Sequence, residues 1–242
     1  MSTLVRLVVT SILGIFMLSC NFSMNLGPGV DGNRNVITQE RKILNDFNSV
    51  KISQGLELYL TQSNAIALSI EADENLHDFI ITDVENGVLS IYATENIRRA
   101  ASRRINLNVT DLSSIMATSG SDVFSTNTIK TDTLELHTTS GADMRLKVKT
   151  ETLNCNSTSG SDIIVSGTTT LLIAQATSGS DIKASQLKAE ISKVKATSGA
   201  DISINTSKEL TARATSGADI TYSGNPEKID KSNNSSGSVR RH

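Results

Sequence analysis

Six aspartates, Asp122, Asp143, Asp162, Asp181, Asp201 and Asp219, each close the pentapeptide Thr-Ser-Gly-Ser/Ala-Asp, whose glycines recur every 18 to 21 residues from Gly120 to Gly217. Carboxylates beside serines and glycines suit three kinds of chemistry. They can share calcium, which takes carboxylate and carbonyl oxygens. They can supply the acid pair of a carbohydrate-cleaving site, where two carboxyl groups stand at a defined separation. Or they can close tight turns, accepting hydrogen bonds from nearby backbone N–H groups. The spacing separates these. A catalytic pair has to converge at one place, whereas one acid per repeat is spread evenly along the chain, so no residue is assigned a catalytic, metal or cofactor role.

A period near twenty is too long for a coiled coil and shorter than most helical-hairpin repeats, so it points to stacked β-coils that cover one another's apolar surface. Aligned on their glycines, the copies place Ile115, Leu136, Cys155, Ala174, Val194 and Ala212 five residues before, and Val123, Met144, Ile163, Ile182, Ile202 and Ile220 three residues after. Four before the glycine stand Met116, His137, Asn156, Gln175, Lys195 and Arg213, mostly polar. This alternation is that of strands with one face buried. Proline occurs only at Pro28 and Pro226, and the 3% aromatic content suits a narrow core without large rings. The glycine fits either a positive φ or an approach too close for a Cβ. Seven such coils would extend roughly 34 Å at about 4.8 Å per coil. The expected architecture is all-β, a parallel β-helix (β-solenoid) of about 20 residues per coil. Residues 36–111 form irregular N-terminal coils acting as its cap, 112–242 the repeats, and 36–242 one continuous domain. Within the cap, Glu85-Asn86-Gly87 reads as a tight turn and 73–78 as a short helical turn. A seventh copy fades into Ser235-Ser236-Gly237-Ser238, with Val239 where an aspartate would stand.

Ahead of the repeats, Arg6 precedes an apolar run from Leu7 to Leu18. That is a secretory signal peptide over 1–19, well short of the roughly 20 apolar residues that span a bilayer. Met17-Leu18-Ser19-Cys20 resembles a bacterial lipobox, which would make Cys20 the lipidated new N-terminus; two or more acyl chains suffice for stable anchoring. Residues 20–35, rich in Asn and Gly, then read as a lipidated flexible tether. Cys155, the only other cysteine, sits at an inward repeat position and reads as a small buried hydrophobe. Cleavage would remove Arg6 and no acid, moving the formal charge from −2 to −3, which is no footprint for nucleic acid.

Phe47-Asn48-Ser49-Val50, Gly55-Leu56-Glu57-Leu58, Gly87-Val88-Leu89-Ser90-Ile91 and the Ser-Gly-Ser/Ala-Asp array together resemble the autotransporter adhesin head GIN domain family, across about 47–240. The resemblance implies a right-handed β-helix with the Gly-Ser-Asp motifs at tight turns, a role in adhesion and no shared catalytic set. The reading is therefore a non-catalytic, exported lipoprotein of the bacterial cell envelope, held at the outer membrane and facing the surface or the periplasm. The alternative is a carbohydrate-active or glycan-binding β-helix.

Six aspartates stacked about 4.8 Å apart would repel by about 0.9 kcal/mol per pair in water and about 3.5 kcal/mol at an effective dielectric of 20. Local hydrogen bonds from turn N–H groups and Ser or Thr hydroxyls are the expected offset; a bound cation, or use of the column as an adhesive surface, are the others. Arg98, Arg99, Arg103 and Arg104 form the dense basic cluster, expected on a solvated loop and suited to an anionic glycan. His77, His137 and His242 share no motif and read as surface residues. The partners expected are the membrane, through lipid on Cys20, and a host or cell-surface protein or an anionic glycan. No cofactor is expected, and association of copies is compatible with the sequence.

Overall fold

The computed structural model describes residues 28–233 and 236–242, so the segment 1–19 read as a signal peptide and Cys20 lie outside the described residues. Five long strands, Asp122–Thr139, Asp143–Thr158, Asp162–Thr177, Asp181–Thr197 and Asp201–Thr215, each begin at the aspartate of one motif and end at the threonine of the next. Each pairs in parallel with its sequence neighbours, aspartate against aspartate. The result is the expected β-solenoid, about seven turns of parallel strands about 19 residues apart. Among the described residues the only helical element is a 3-10 turn, Glu74–Leu76, within the span read as a helical turn. No helix of the described residues is long and apolar enough to cross a membrane.

Both apolar columns point inward: every residue named above at five before and three after the glycine is buried. Cys155 is among them, 1% exposed, and burial pushes its thiol up to about 12, so it packs as a hydrophobe. The core is a single cluster running the length of the solenoid.

The motif is a turn with two successive residues at positive φ. Ser119, Ser140, Ser159, Ser178, Ser198 and Ser216 have φ of 56 to 59°, and the glycines after them 67 to 74°. Ala142 N–H donates to Thr139 O at 3.3 Å, closing a four-residue turn of the hairpin kind, whose first central residue here is a serine tolerating the left-handed region. A Cβ on Gly120, Gly141, Gly160, Gly179, Gly199 or Gly217 would meet nothing within 4 Å, so conformation and not crowding selects glycine. The turns are stitched coil to coil, Gly120 N–H to Ser140 O at 3.1 Å and so on to Gly199 N–H to Ser216 O at 3.0 Å. The Ser/Ala residue after each glycine points inward. Ser121, Ser161 and Ser180 are fully buried, and Ser180 Oγ donates to Ser157 O of the coil beside it at 2.7 Å.

Residues 36–111 depart from simple winding. Ser49–Ile52 lies between Ser114–Ala117 and Val88–Ala93, and Glu57–Gln62 lies between Asp122–Thr139 and Arg103–Val109. The coil nearest the end is therefore 88–109, later in sequence than the coil it stacks on. The intervening chain closes the end with antiparallel pairs: Val36–Arg41 on Ala67–Asp73, Ala67–Asp73 on Arg103–Val109, and Ile80–Glu85 on Val88–Ala93 through the Asn86-Gly87 turn. Antiparallel edges cover the core without presenting another coil for stacking.

The segment read as a tether is docked from Gly29 onward. Val30–Asp31 pairs with Ile97–Arg99, and Gly32 N–H donates to Arg99 O at 2.7 Å. Asp73, wholly buried, accepts from the N–H groups of Arg34, Ala101 and Ser102. Burial alone would raise its pKa, but the backbone donors Arg34, Ser102 and Ala101 outweigh it and hold the carboxyl below its usual value.

At the other end, Ser238 pairs with Asp219 and Val239 with Ile220. The last motif is one residue short, so Ser238 takes the aspartate place and Val239 the inward one, one step from the alignment expected above.

Candidate functional site

The aspartates form one outward column, and it is longer than the repeat motif. Glu57 pairs with Asp122, and Arg104 pairs with Glu57. In space the order is Arg104, Glu57, Asp122, Asp143, Asp162, Asp181, Asp201, Asp219, Ser238. The signal for Glu57 was present in the sequence: Gln54-Gly55 adopts the same pair of positive φ values as Ser-Gly, and Gly55 N–H donates to Ser119 O at 3.1 Å. The signal for Arg104 was not, since its coil is out of sequence order.

What offsets the repulsion differs from the expectation. None of the six aspartate side chains accepts from a turn N–H or from a Ser or Thr hydroxyl among the described residues; a hydrogen bond is made only with Lys183. Its Nζ lies 2.8 Å from Asp162 and 3.1 Å from Asp181, and Arg240 stands 3.9 Å from Asp219. The strand explains why. The glycine and aspartate N–H groups of the turns are consumed by the neighbouring coil, Ser121, Ser161 and Ser180 face inward, and the exposed serine before the glycine lies against the preceding threonine hydroxyl, 3.4 Å away at Ser119, Ser140, Ser159, Ser178 and Ser198, and not against the aspartate. Relief therefore comes from cations two residues along the strand, on the same outward face, at Lys183 and Arg240. Asp122 has no such partner among the described residues. Burial, and then the Asp143 and Glu57 carboxylates, push its pKa up, with Arg103 partly opposing. Asp143 and Asp201 are exposed and make no side-chain hydrogen bond or ion pair among the described residues. Among the described residues no three His, Cys, Asp or Glu side chains are grouped to hold a metal ion.

The arginine cluster does not converge. Arg98 and Arg99 lie on the strand Ile97–Arg99 and Arg103 and Arg104 on Arg103–Val109, not on a loop. Arg98 pairs with Asp31 at 2.8 Å. Arg103 reaches over the Gln54-Gly55 turn, its Nη1 lying 3.2 Å from where a Gly55 Cβ would be. The Arg104 guanidinium covers the Tyr59 ring at 4.4 Å, and Tyr59 in turn stacks on Phe124 at 5.2 Å. Only Arg99 keeps an exposed head with no side-chain partner among the described residues, so the four do not form one anion site.

The histidines also divide. His77 is 3% exposed, not a surface residue: its Nε2 lies 3.2 Å from the Ile37 and Ala72 carbonyl oxygens, tying the cap strands together. His137 is half-exposed on the outward face, 3.7 Å from Glu135, as its repeat position requires.

The family whose sequence profile matches residues 46–226 is described as putative auto-transporter adhesin, head GIN domain. No curated protein matches the chain. Among solved structures, a putative adhesin from Bacteroides fragilis NCTC 9343 is similar with a TM-score of 0.81 at 21% identity, covering 88% of this chain and 100% of that one. A putative lipid binding protein from Parabacteroides distasonis ATCC 8503 is similar at 25% identity and a TM-score of 0.74, covering 88% and 99%. A putative adhesin from Parabacteroides merdae ATCC 43184 gives a TM-score of 0.71 at 20% identity, covering 88% and 98%.

Proposed function

The chain belongs to the putative auto-transporter adhesin, head GIN domain family, and from that premise we propose that it is a non-catalytic interaction module. It is exported through the signal peptide at 1–19, tethered to the outer membrane by lipid on Cys20, and engages a cell-surface protein through its acidic column. The observation that carries this reading is the column itself. Seven acids from Glu57 to Asp219 stand in register on one outward face, one per coil, with Asp143 and Asp201 free of ion pairs among the described residues. One acid repeated per coil, in place of a single set of acid and base gathered around one reacting position, supports a binding surface over acid–base chemistry. It attracts basic side chains on a partner and speeds encounter with them. Docking of the chain from Gly29 beside the capped end supports an arrangement in which a lipid on Cys20 would leave the repeats extending away from the membrane.

The test has two arms. Labelled palmitate should enter the wild-type protein and not Cys20→Ser, whose product should leave the membrane fraction. Cells producing the wild type should adhere to immobilised basic proteins more than cells lacking it. Labelling of Cys20→Ser, or equal adhesion with and without the protein, would remove the corresponding half of the proposal.

A further inference from the structure

Eight residues after Asp143 and eleven before Asp162, about half a coil from the acidic column, the outer surface folds into a groove of about 940 Å³. Its lining comes from five successive rungs, so it runs roughly 19 Å along the solenoid axis at about 4.8 Å per rung. Lys130, Lys149 and Lys188 stand along one wall, and Asp132, Glu151 and Glu190 along the other. The floor between them is the buried side of Thr150, Thr169 and Ala189. The two threonine hydroxyls are spent internally: Thr150 Oγ1 donates to Thr169 Oγ1 at 2.9 Å, and Thr169 Oγ1 reaches Glu151 O at 3.3 Å. Thr150 and Thr169 thus keep their hydroxyls turned to the protein, while the walls present donors on one side and acceptors on the other.

The walls do not satisfy each other. Lys130, Lys149 and Lys188 form no ion pair among the described residues, nor do Asp132 and Glu151; only Glu190 is engaged, by Lys208 at 2.7 Å. Three features of this lining select a class of ligand. It holds no aromatic or large aliphatic side chain, so it lacks the anchor pocket on which protein partners depend. The three middle rungs are paired on both sides, and at the outermost rung the Gln62 side-chain amide takes the Lys130 N–H and carbonyl, so the groove offers no open strand edge along its length to bind an extended peptide. And an acid wall facing the lysine wall cancels the attraction that a polyanion would need. What remains is a chain rich in hydroxyls, without net charge, long enough to contact several rungs, each hydroxyl able to donate to a carboxylate and accept from a lysine.

We propose that this groove binds an extended uncharged polysaccharide lying along the solenoid axis between the Lys130–Lys149–Lys188 and Asp132–Glu151–Glu190 walls. It rests on the reading of the solenoid as a non-catalytic binding module, but it uses a different face from the acidic column.

The experiment is affinity electrophoresis of the mature chain through gels carrying mannan, dextran, xyloglucan or mixed-linkage β-glucan, with polygalacturonate and heparin as polyanion probes. Wild type should be retarded by at least one neutral polymer, to a similar degree from about 50 to about 500 mM salt, because no counterions are released. Lys149→Ser/Glu151→Ser should weaken that retardation about tenfold with an unchanged melting temperature, and Lys188→Ser should weaken it less. Asp143→Asn/Asp201→Asn should leave it unchanged. No retardation by any neutral polymer, retardation that survives Lys149→Ser/Glu151→Ser, or retardation by polyanions alone that fades with salt would each overturn the proposal. Release of reducing ends from a retarding polymer would support binding in the groove and instead contradict the non-catalytic reading.

Discussion

Lys183 donates from Nζ to a carboxylate oxygen of Asp162 at 2.8 Å, and the same nitrogen lies 3.1 Å from Asp181, so one cation spans a step of the acidic column. The pair is half-exposed, which limits what the bridge is worth.

Replacing that cation tests the account of how the column is tolerated. Lys183→Met should destabilise by less than about 1 kcal/mol at neutral pH. Hydrogen bonding to Asp162, against a smaller opposing effect of burial and with help from Asp181, raises the Lys183 pKa above its ordinary 10.5. A raised lysine contributes fully below its unfolded pKa and loses that contribution as pH climbs through the folded value. The gap in melting temperature between wild type and Lys183→Met should therefore be constant from pH 6 to pH 9, values at which the lysine stays protonated in both states, and close only above about 10.4.

Asp122 works in the opposite sense. Its carboxyl is raised above 3.8 by burial and by the Asp143 and Glu57 charges, so the folded state binds this proton more tightly than the unfolded one. Stability then falls as pH rises through the window from 3.8 to the raised value, and the cost persists at neutral pH. Asp122→Asn should raise the melting temperature at pH 7 and leave it unchanged below that window; thermal melts at the two pH values check it.

Two glycines at positive φ should answer differently to alanine. At Gly160 (φ 67°) a Cβ meets nothing within 4 Å, so Gly160→Ala should cost only the left-handed backbone, about 1–2 kcal/mol. At Gly167 (φ 113°) a Cβ would stand 2.0 Å from the Val148 carbonyl oxygen, so Gly167→Ala adds overpacking and should cost roughly 3 kcal/mol or more. Urea unfolding of the two variants gives the comparison.

The shortened last motif is testable by moving the acid one place. Ser238→Asp extends the outward column beside Arg240 and should change stability by no more than about 0.5 kcal/mol. Val239→Asp puts a carboxylate in the inward column against Ile220 and should cost about 1–3 kcal/mol. The reverse order in denaturant melts, with Ser238→Asp the costlier, would favour the register in which Val239 holds the aspartate place.

Much of the solenoid was legible because one structural unit is written six times. Period-two alternation around each glycine put Ile115, Leu136, Cys155 and their counterparts inside, and the structure buries all of them. Which of two reasons selects glycine was open until the empty space around Gly120 decided it. The cap was less legible, because it does not repeat. Nothing local to Val88–Ala93 says that it stacks outside Ser49–Ile52, and that inversion hid Arg104 at the head of the column. The arginines looked like one cluster because they are close in sequence, but strand alternation and the Asp31 and Tyr59 contacts part them. His77 read as a surface residue because its burial depends on cap strands 40 residues away in sequence. The groove between the lysine and carboxylate walls was missed for a related reason: its residues sit where coil lengths vary and bulges absorb the difference, as between Ala184 and Lys188, so aligning on the glycines does not line them up.

The central claim is that the repeat is scaffold and that its outward carboxylates serve binding. Its most direct test is Asp143→Asn/Asp201→Asn, measured for melting temperature and for adhesion to immobilised basic protein. Removing two uncompensated like charges should leave the melting temperature unchanged or slightly higher and weaken adhesion about tenfold, a loss of about 1.4 kcal/mol. A clear fall in melting temperature with adhesion intact would make the aspartates structural and contradict the account.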